Sequence, residues 1–209
     1  ASKIHYDEEG FGLYSLYEDG EYLTDIRLHV VGSHNISNSL PAIALARSYQ
    51  IPLSVITESV SRFTGAKRRF EVKGKIGGVT VIDDYSHHPS EVRAALEAAK
   101  NYPHNRIWCV FQPHTYSRTR AFLKDFAESL SLADKIVLAD IYAAREKDPG
   151  DISSADLERA LQEKGKDVIY LKTFDEIQDY LLKNCTNGDL LITMGAGDVV
   201  TIGNDLLGI

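Results

Sequence analysis

Cysteine is nearly absent from this chain. Its 209 residues include two, Cys109 and Cys185, far apart and in no CxxC pair. That excludes a disulfide framework or a zinc knuckle and makes a reducing, cytoplasmic setting the default expectation. No apolar run approaches the roughly 20 residues that a membrane-spanning helix requires. The opening ASKIHYDEEG is too polar and acidic to read as a signal peptide. Positive charge is in deficit, with 23 Lys and Arg against 30 Asp and Glu for a net charge of −7. General affinity for nucleic acid is therefore not expected, and neither nucleic acid nor membrane is an anticipated partner. There is no internal repeat, low-complexity tract or coiled-coil heptad. The most restrictive absence is a GxxxxGK[ST] phosphate loop or a GxHGKT-like variant. No lysine here is placed to grip nucleotide phosphates in that way.

What is present is an ordinary globular composition, 44% hydrophobic and 25% charged, long enough for one large domain or two small ones. Two regions differ in pattern. Residues 11–31 alternate around an Asp19-Gly20 turn and predict a hairpin. A helix from about Asn35 to Tyr49, with Ile36, Leu40, Ile43 and Ala44 on one face, and a shorter helix ending near Thr64-Gly65 follow. From Lys67 strands and helices alternate. RRFEVKG and GVTVIDD form a strand pair about Gly77-Gly78. Later strands are predicted at 106–111, 135–140, 167–171 and 190–194, and helices at about 89–100 and 117–131, around ADLERALQEKG, from Thr173 and at the end. The expected fold is α/β: a Rossmann-like, doubly wound, mostly parallel sheet with helices on both faces, preceded by a hairpin and two helices.

In such a sheet, ligands gather at the carboxyl ends of the strands. Four polar turns should lie there: DDYSHHP (83–89), QPHTYSRT (112–119), DIYAAREKD (140–148) and GAGD (195–198). In the first, adjacent His87 and His88 diverge and cannot easily share one ion. His88 abuts Pro89 and suits a helix cap, which leaves His87 as the better functional candidate. Asp84, His87 and His114 can converge, but no HExxH or spaced Cys/His set accompanies them, and no metal ligand is assigned. In QPHTYSRT, His114, Ser117, Arg118 and Arg120 sit where free N–H groups and a helix dipole attract anions, and Arg118 can fork onto a carboxylate or phosphate. The same residues also fit a solvated helix start. GAGD is a lone GxG and reads best as a tight glycine turn. Asn35 and Asn38, three apart on a helix, can bind the polar edge of a base or simply serve as capping residues. The two arginines of KRRF (67–70) are phosphate ligands or a solvated linker.

Together these pieces are more specific than any one. The order HNxxN, a helix pair, F-x-G-x-x-RRF, DDY-x-HHP, FQPH-x-YSRT and a late GAGD resembles the Mur ligases of peptidoglycan synthesis, from about Gly32 to Val200. The resemblance implies an enzyme that uses ATP and magnesium to activate the carboxylate of UDP-N-acetylmuramate as an acyl phosphate, which the amino group of L-alanine then attacks. It assigns Asn35, Asn38 and Arg69 to the nucleotide, Asp84, His87 and His114 to the reaction centre, and Tyr85, Thr115 and Arg118 to the amino-acid pocket. The family often has glycine at Ser86 and arginine at Thr115. A carboxylate clamp of two arginines is therefore in doubt, and Arg118 carries more of the charge.

With no phosphate loop and no UDP site, the expectation is a C-terminal part of such a ligase. Residues 1–65 would be the end of the central ATP-binding domain, and 66–209 the C-terminal domain. Alone, it would be nearly inactive and bind neither ATP nor magnesium tightly. Two other readings stay open: a DHH-type metallophosphoesterase, from the acids beside His-His-Pro, and a non-catalytic nucleotide-binding or interaction module.

Overall fold

A computed structural model describes all 209 residues. They form two compact units, one of residues 1–66 with 97–103 and one of 67–96 with 104–209.

In the first unit, strands β1 (Ser2–Tyr6), β2 (Phe11–Glu18) and β3 (Glu21–Val31) make an antiparallel sheet in that order. Helices α1 (Ser33–Ser48) and α2 (Leu53–Arg62) follow. The sheet has three strands where the sequence predicts a hairpin. β1 is a short edge strand, largely exposed, so it carries no apolar alternation by which to be recognised. The core joins Tyr14, Leu16, Ile26 and Leu28 of the sheet to Ile36, Ile43 and Ile56 of the helices. Ala44, expected on the buried face of α1, is exposed, and Ala46 packs against the core instead.

The second unit is a six-stranded sheet. Its strands are β4 (Glu71–Ile76), β5 (Val79–Asp84), β6 (Ile107–Phe111), β7 (Lys135–Leu138), β8 (Val168–Tyr170) and β9 (Leu190–Met194), in the order β4-β5-β9-β6-β7-β8. Only β4 is antiparallel to its neighbour. The five-residue runs IWCVF and LLITM are buried on both faces, as expected of interior parallel strands. On one face Val81, Val110, Val137 and Leu191 pack with Ile177 and Leu181 of α7 (Phe174–Asn184) and Ile202 of α8 (Val200–Leu207). On the other, Phe111 meets Phe126 with ring centroids 5.3 Å apart, and Val92 and Leu96 of α3 (Pro89–Ala99) are buried.

Two local expectations are corrected. RRF is a turn and β4 begins at Glu71; Arg68 and Phe70 have φ of 58° and 48°, outside strand geometry. The helix expected over 117–131 is broken at Phe122 (φ −116°, ψ 23°) into α4 (Tyr116–Ala121) and α5 (Leu123–Leu130). Two later helices open with capping boxes. Ser153 and Asp156 form a capping box on α6 (Ser154–Gln162), and Thr173 and Glu176 form one on α7. Replacing Phe126, fully buried against Phe111, by alanine should cost about 3–5 kcal/mol of unfolding free energy. Thr173→Ala should cost about 1 kcal/mol; denaturant titration distinguishes the two.

Candidate functional site

Because β9 lies between β5 and β6, the turn after β9 is flanked by the turns after β5 and β6. All belong to the second unit.

At the end of β5, Asp83 and Asp84 are both buried. Asp83 accepts from Arg68 Nε at 2.8 Å and Thr193 Oγ1 at 2.9 Å. Burial pushes its carboxyl up, and those two partners only partly offset that. Arg68 also donates to the carbonyls of Gly195 (2.8 Å) and Gly197 (3.2 Å) and lies 4.8 Å over the Tyr85 ring. Asp84 accepts from the backbone N–H groups of Phe70 and Ser86, each at 2.8 Å, and from the Ser86 hydroxyl. The Ser86 side chain therefore helps to hold the turn.

The two histidines of this turn diverge. His88 lies at the head of α3, its carbonyl accepting from Val92 N–H at 3.0 Å, with its ring against Phe122. His87 Nδ1 lies 3.0 Å from the Tyr85 carbonyl. A carbonyl only accepts, so the neutral ring carries its proton on Nδ1 and keeps a lone pair on Nε2. Glu91 takes the backbone N–H groups of His87 and His88 at 3.1 Å each. Burial tends to raise the Glu91 carboxyl, but these hydrogen bonds and the histidine charges hold it below the usual range.

After β6, His114 faces His87 with ring centroids 6.0 Å apart. Arg118 Nη1 donates to the His114 carbonyl at 2.7 Å and to its Nδ1 at 3.1 Å. Nδ1 is then an acceptor, and the neutral ring carries its proton on Nε2, the opposite of His87. Burial, the Arg118 charge and His87 hold His114 below the usual histidine range. Arg118 is half-buried; its Nε and Nη2 have no protein partner, which leaves a two-donor edge suited to a carboxylate. Thr115, expected in the amino-acid pocket, heads α4 and gives its hydroxyl to Glu146 at 2.7 Å. Tyr142 stacks on His114 with centroids 5.5 Å apart and ring planes 14° apart.

Between them, GAGD is packed rather than open. A side chain at Gly195 would come within 2.8 Å of the Gln112 carbonyl, and one at Gly197 within 2.3 Å of its Oε1 and 2.8 Å of the Tyr142 ring. Those glycines permit close approach. Gln112 Nε2 donates to Asp198 at 2.8 Å.

KRRF divides by function. Arg68 turns inward to the network above, while the Arg69 guanidinium is exposed and has no protein partner. In the first unit, Asn38 Nδ2 donates to Asn35 Oδ1 at 3.4 Å and Asn35 Nδ2 to the Val31 carbonyl at 2.8 Å. The two amides thus share one helix face. No three His, Cys, Asp or Glu side chains converge closely enough to hold a metal ion.

Residues 68–197 match the family described as "Mur ligase, glutamate ligase domain". The chain belongs to the Mur ligase family. It is 54% identical over 207 residues to the UDP-N-acetylmuramate–L-alanine ligase of Lachnoclostridium phytofermentans and 56% identical over 207 residues to that of Lachnospira eligens. These alignments cover 99% of this chain but only 44% and 45% of the relatives. The UDP-N-acetylmuramate–alanine ligase of Thermotoga maritima, a solved structure, superposes with a TM-score of 0.80 at 26% identity, over 96% of this chain and 43% of that one. Family membership removes the DHH phosphoesterase reading.

As a Mur ligase domain, the unit keeps His87, His114 and Arg118 together, with Tyr85 in edge contact with His87 at 5.5 Å. Sequence reasoning placed DIYAAREKD on the rim but singled out neither Tyr142 nor Glu146, since neither belongs to a spaced motif.

The depressed His114 has a consequence for pH. The unfolded chain protonates at the ordinary histidine value, the folded one lower. Its contribution to stability is therefore full above the ordinary value and is lost as pH falls through the folded value. Histidine ring NMR titration should give His114 a midpoint below that of an exposed histidine. Arg118→Met should raise it. A midpoint at or above the ordinary value contradicts this geometry.

Proposed function

We propose that this chain supplies the amino-acid-binding side of an ATP-dependent ligase that joins L-alanine to UDP-N-acetylmuramate, a cytoplasmic step of peptidoglycan precursor synthesis. The observation that carries the reading is the grouping of His87, His114 and Arg118 on one rim, with opposite tautomers on the two rings. The named relatives support the choice of substrates.

A carboxylate is a poor electrophile, so the muramoyl carboxylate first takes the γ-phosphoryl group of ATP, giving an acyl phosphate and ADP. The ammonium of alanine must lose a proton before its nitrogen can attack the acyl carbon. The C–N bond then forms, the C–O bond to phosphate breaks, and inorganic phosphate leaves. Arg118 holds the alanine carboxylate through its free edge. His87 Nε2, with its lone pair available, takes the ammonium proton. His114 is less suited to that role: its Nδ1 is occupied, its Nε2 is protonated, and its basicity is reduced. It serves as a neutral donor instead. Asp84, expected among the catalytic groups, has both oxygens engaged by Phe70 and Ser86, and we assign it to holding the turn on which Tyr85 and His87 sit. Asn35, Asn38 and Arg69 are assigned to the nucleotide, Arg69 because its guanidinium is free for phosphate. Magnesium finds no cluster of three His, Cys, Asp or Glu side chains among these residues.

Phosphate release from ATP, magnesium, UDP-N-acetylmuramate and L-alanine tests the proposal. This chain alone should be silent, and mixing it with the amino-terminal portion of such a ligase should restore turnover. Turnover by the chain alone would contradict the inference from the missing phosphate loop. In the assembled enzyme His87→Gln should lower kcat by about 10²–10⁴-fold, the usual size of general-base loss, with little change in ATP affinity. Equal losses in both would remove His87 as the base.

A further inference from the structure

The loop after β7 reaches the candidate site at two points. It follows the extension of β6: Ala139 N–H donates to the Phe111 carbonyl at 3.0 Å and Tyr142 N–H to the Pro113 carbonyl at 2.8 Å. His114 and Tyr142 form an isolated parallel bridge. The Tyr142 ring then stacks on His114. Four residues on, Glu146 accepts from the Thr115 hydroxyl at 2.7 Å, the Ser117 N–H at 2.9 Å and the Ser117 hydroxyl. One carboxylate thereby ties down the first turn of α4, and the next residue in that turn is Arg118.

We propose that the loop 140–146 is a clamp for the amino-acid substrate site, with Glu146 and Tyr142 as positioning residues that fix how Arg118 and His114 are presented. The proposal rests on the ligase reading above. Glu146 holds Thr115 and Ser117, and the Thr115 carbonyl accepts from Thr119 N–H at 2.9 Å and Thr119 Oγ1 at 2.7 Å, which sets the helical turn. From that turn Arg118 reaches back to His114. On the far side of the imidazole, Tyr142 supplies a flat wall, itself packed against Gly197. Thr115 thus belongs to the clamp rather than to the substrate. Hydrogen bonds from Ser117 and Thr115 pull the Glu146 carboxyl down to about 2. It remains an anion throughout the working range, a constant anchor rather than a switch. Tyr142 and Glu146 are not core residues, so their loss should change the site before the fold.

The test is a full kinetic comparison in the complete ligase containing this chain, with the KM of each substrate measured separately. Glu146→Ala should raise the KM for L-alanine by about 10–100-fold, the effect expected of a misplaced binding group. The KM for ATP and the melting temperature should stay near wild type. Glu146→Gln, which still accepts from the hydroxyls, should fall between. Tyr142→Phe should behave as wild type and Tyr142→Ala as Glu146→Ala. An unchanged alanine KM in Glu146→Ala, or parallel shifts in every KM together with a fall in melting temperature, would overturn the clamp. If the wild-type ligase does not consume L-alanine, the functional reading fails. The clamp is then judged on this chain by NMR: Glu146→Ala must shift the His114 ring-proton resonances, and an unaltered His114 spectrum overturns it.

Discussion

The last strand of the sheet is inserted between two earlier ones, and the candidate site depends on that insertion. Neighbouring strands lie about 4.8 Å apart, so β5 and β6, separated by β9, should end about 10 Å from one another. His87 and His114 span this gap, their rings 6.0 Å apart. The turn after β9 lies between the two strand ends, and Gly195 and Gly197 give it no side chains that would crowd Gln112 and Tyr142. It is held from both sides. Arg68 donates to both glycine carbonyls, and Gln112 donates to Asp198 and accepts from Val199 N–H. Arg68 also neutralises the fully buried Asp83. Removing one partner of a buried pair leaves an uncompensated charge and is strongly destabilising, so the inner arginine of KRRF is tied to the fold while its neighbour stays free.

The second consequence is chemical. Two imidazoles close together would be redundant if each offered the same atom. Here the backbone beside His87 and the guanidinium beside His114 fix opposite proton positions. One ring presents a lone pair and the other an N–H, while Arg118 keeps a two-donor edge. That combination suits a zwitterion whose ammonium must lose a proton while its carboxylate stays ionised.

The alternation of strands and helices from Lys67 onward was plain in the sequence because each interior strand is a short, mostly apolar run closed by polar turns. The same pattern placed DDYSHHP, QPHTYSRT and GAGD on one rim, since chain direction alone puts carboxyl ends together in a parallel sheet. Less was legible where no periodicity operates. β1 is an exposed edge, Phe122 breaks a helix that reads as continuous, and RRF resembles a strand although Arg68 and Phe70 take positive φ. Which arginine turns inward, which proton each histidine carries, and the attachment of Glu146 to a turn 31 and 29 residues earlier are tertiary facts with no local signature. Of the motif residues named from sequence, Asp84 and Thr115 have their polar groups already engaged by the protein.

The pairing of unlike histidines is the centre of this account, and a long-range proton–nitrogen NMR correlation of the imidazole rings at a pH where both are neutral examines it directly. His87 should be protonated on Nδ1 and His114 on Nε2. The same tautomer on both rings would contradict it, because the pair would no longer offer one acceptor and one donor.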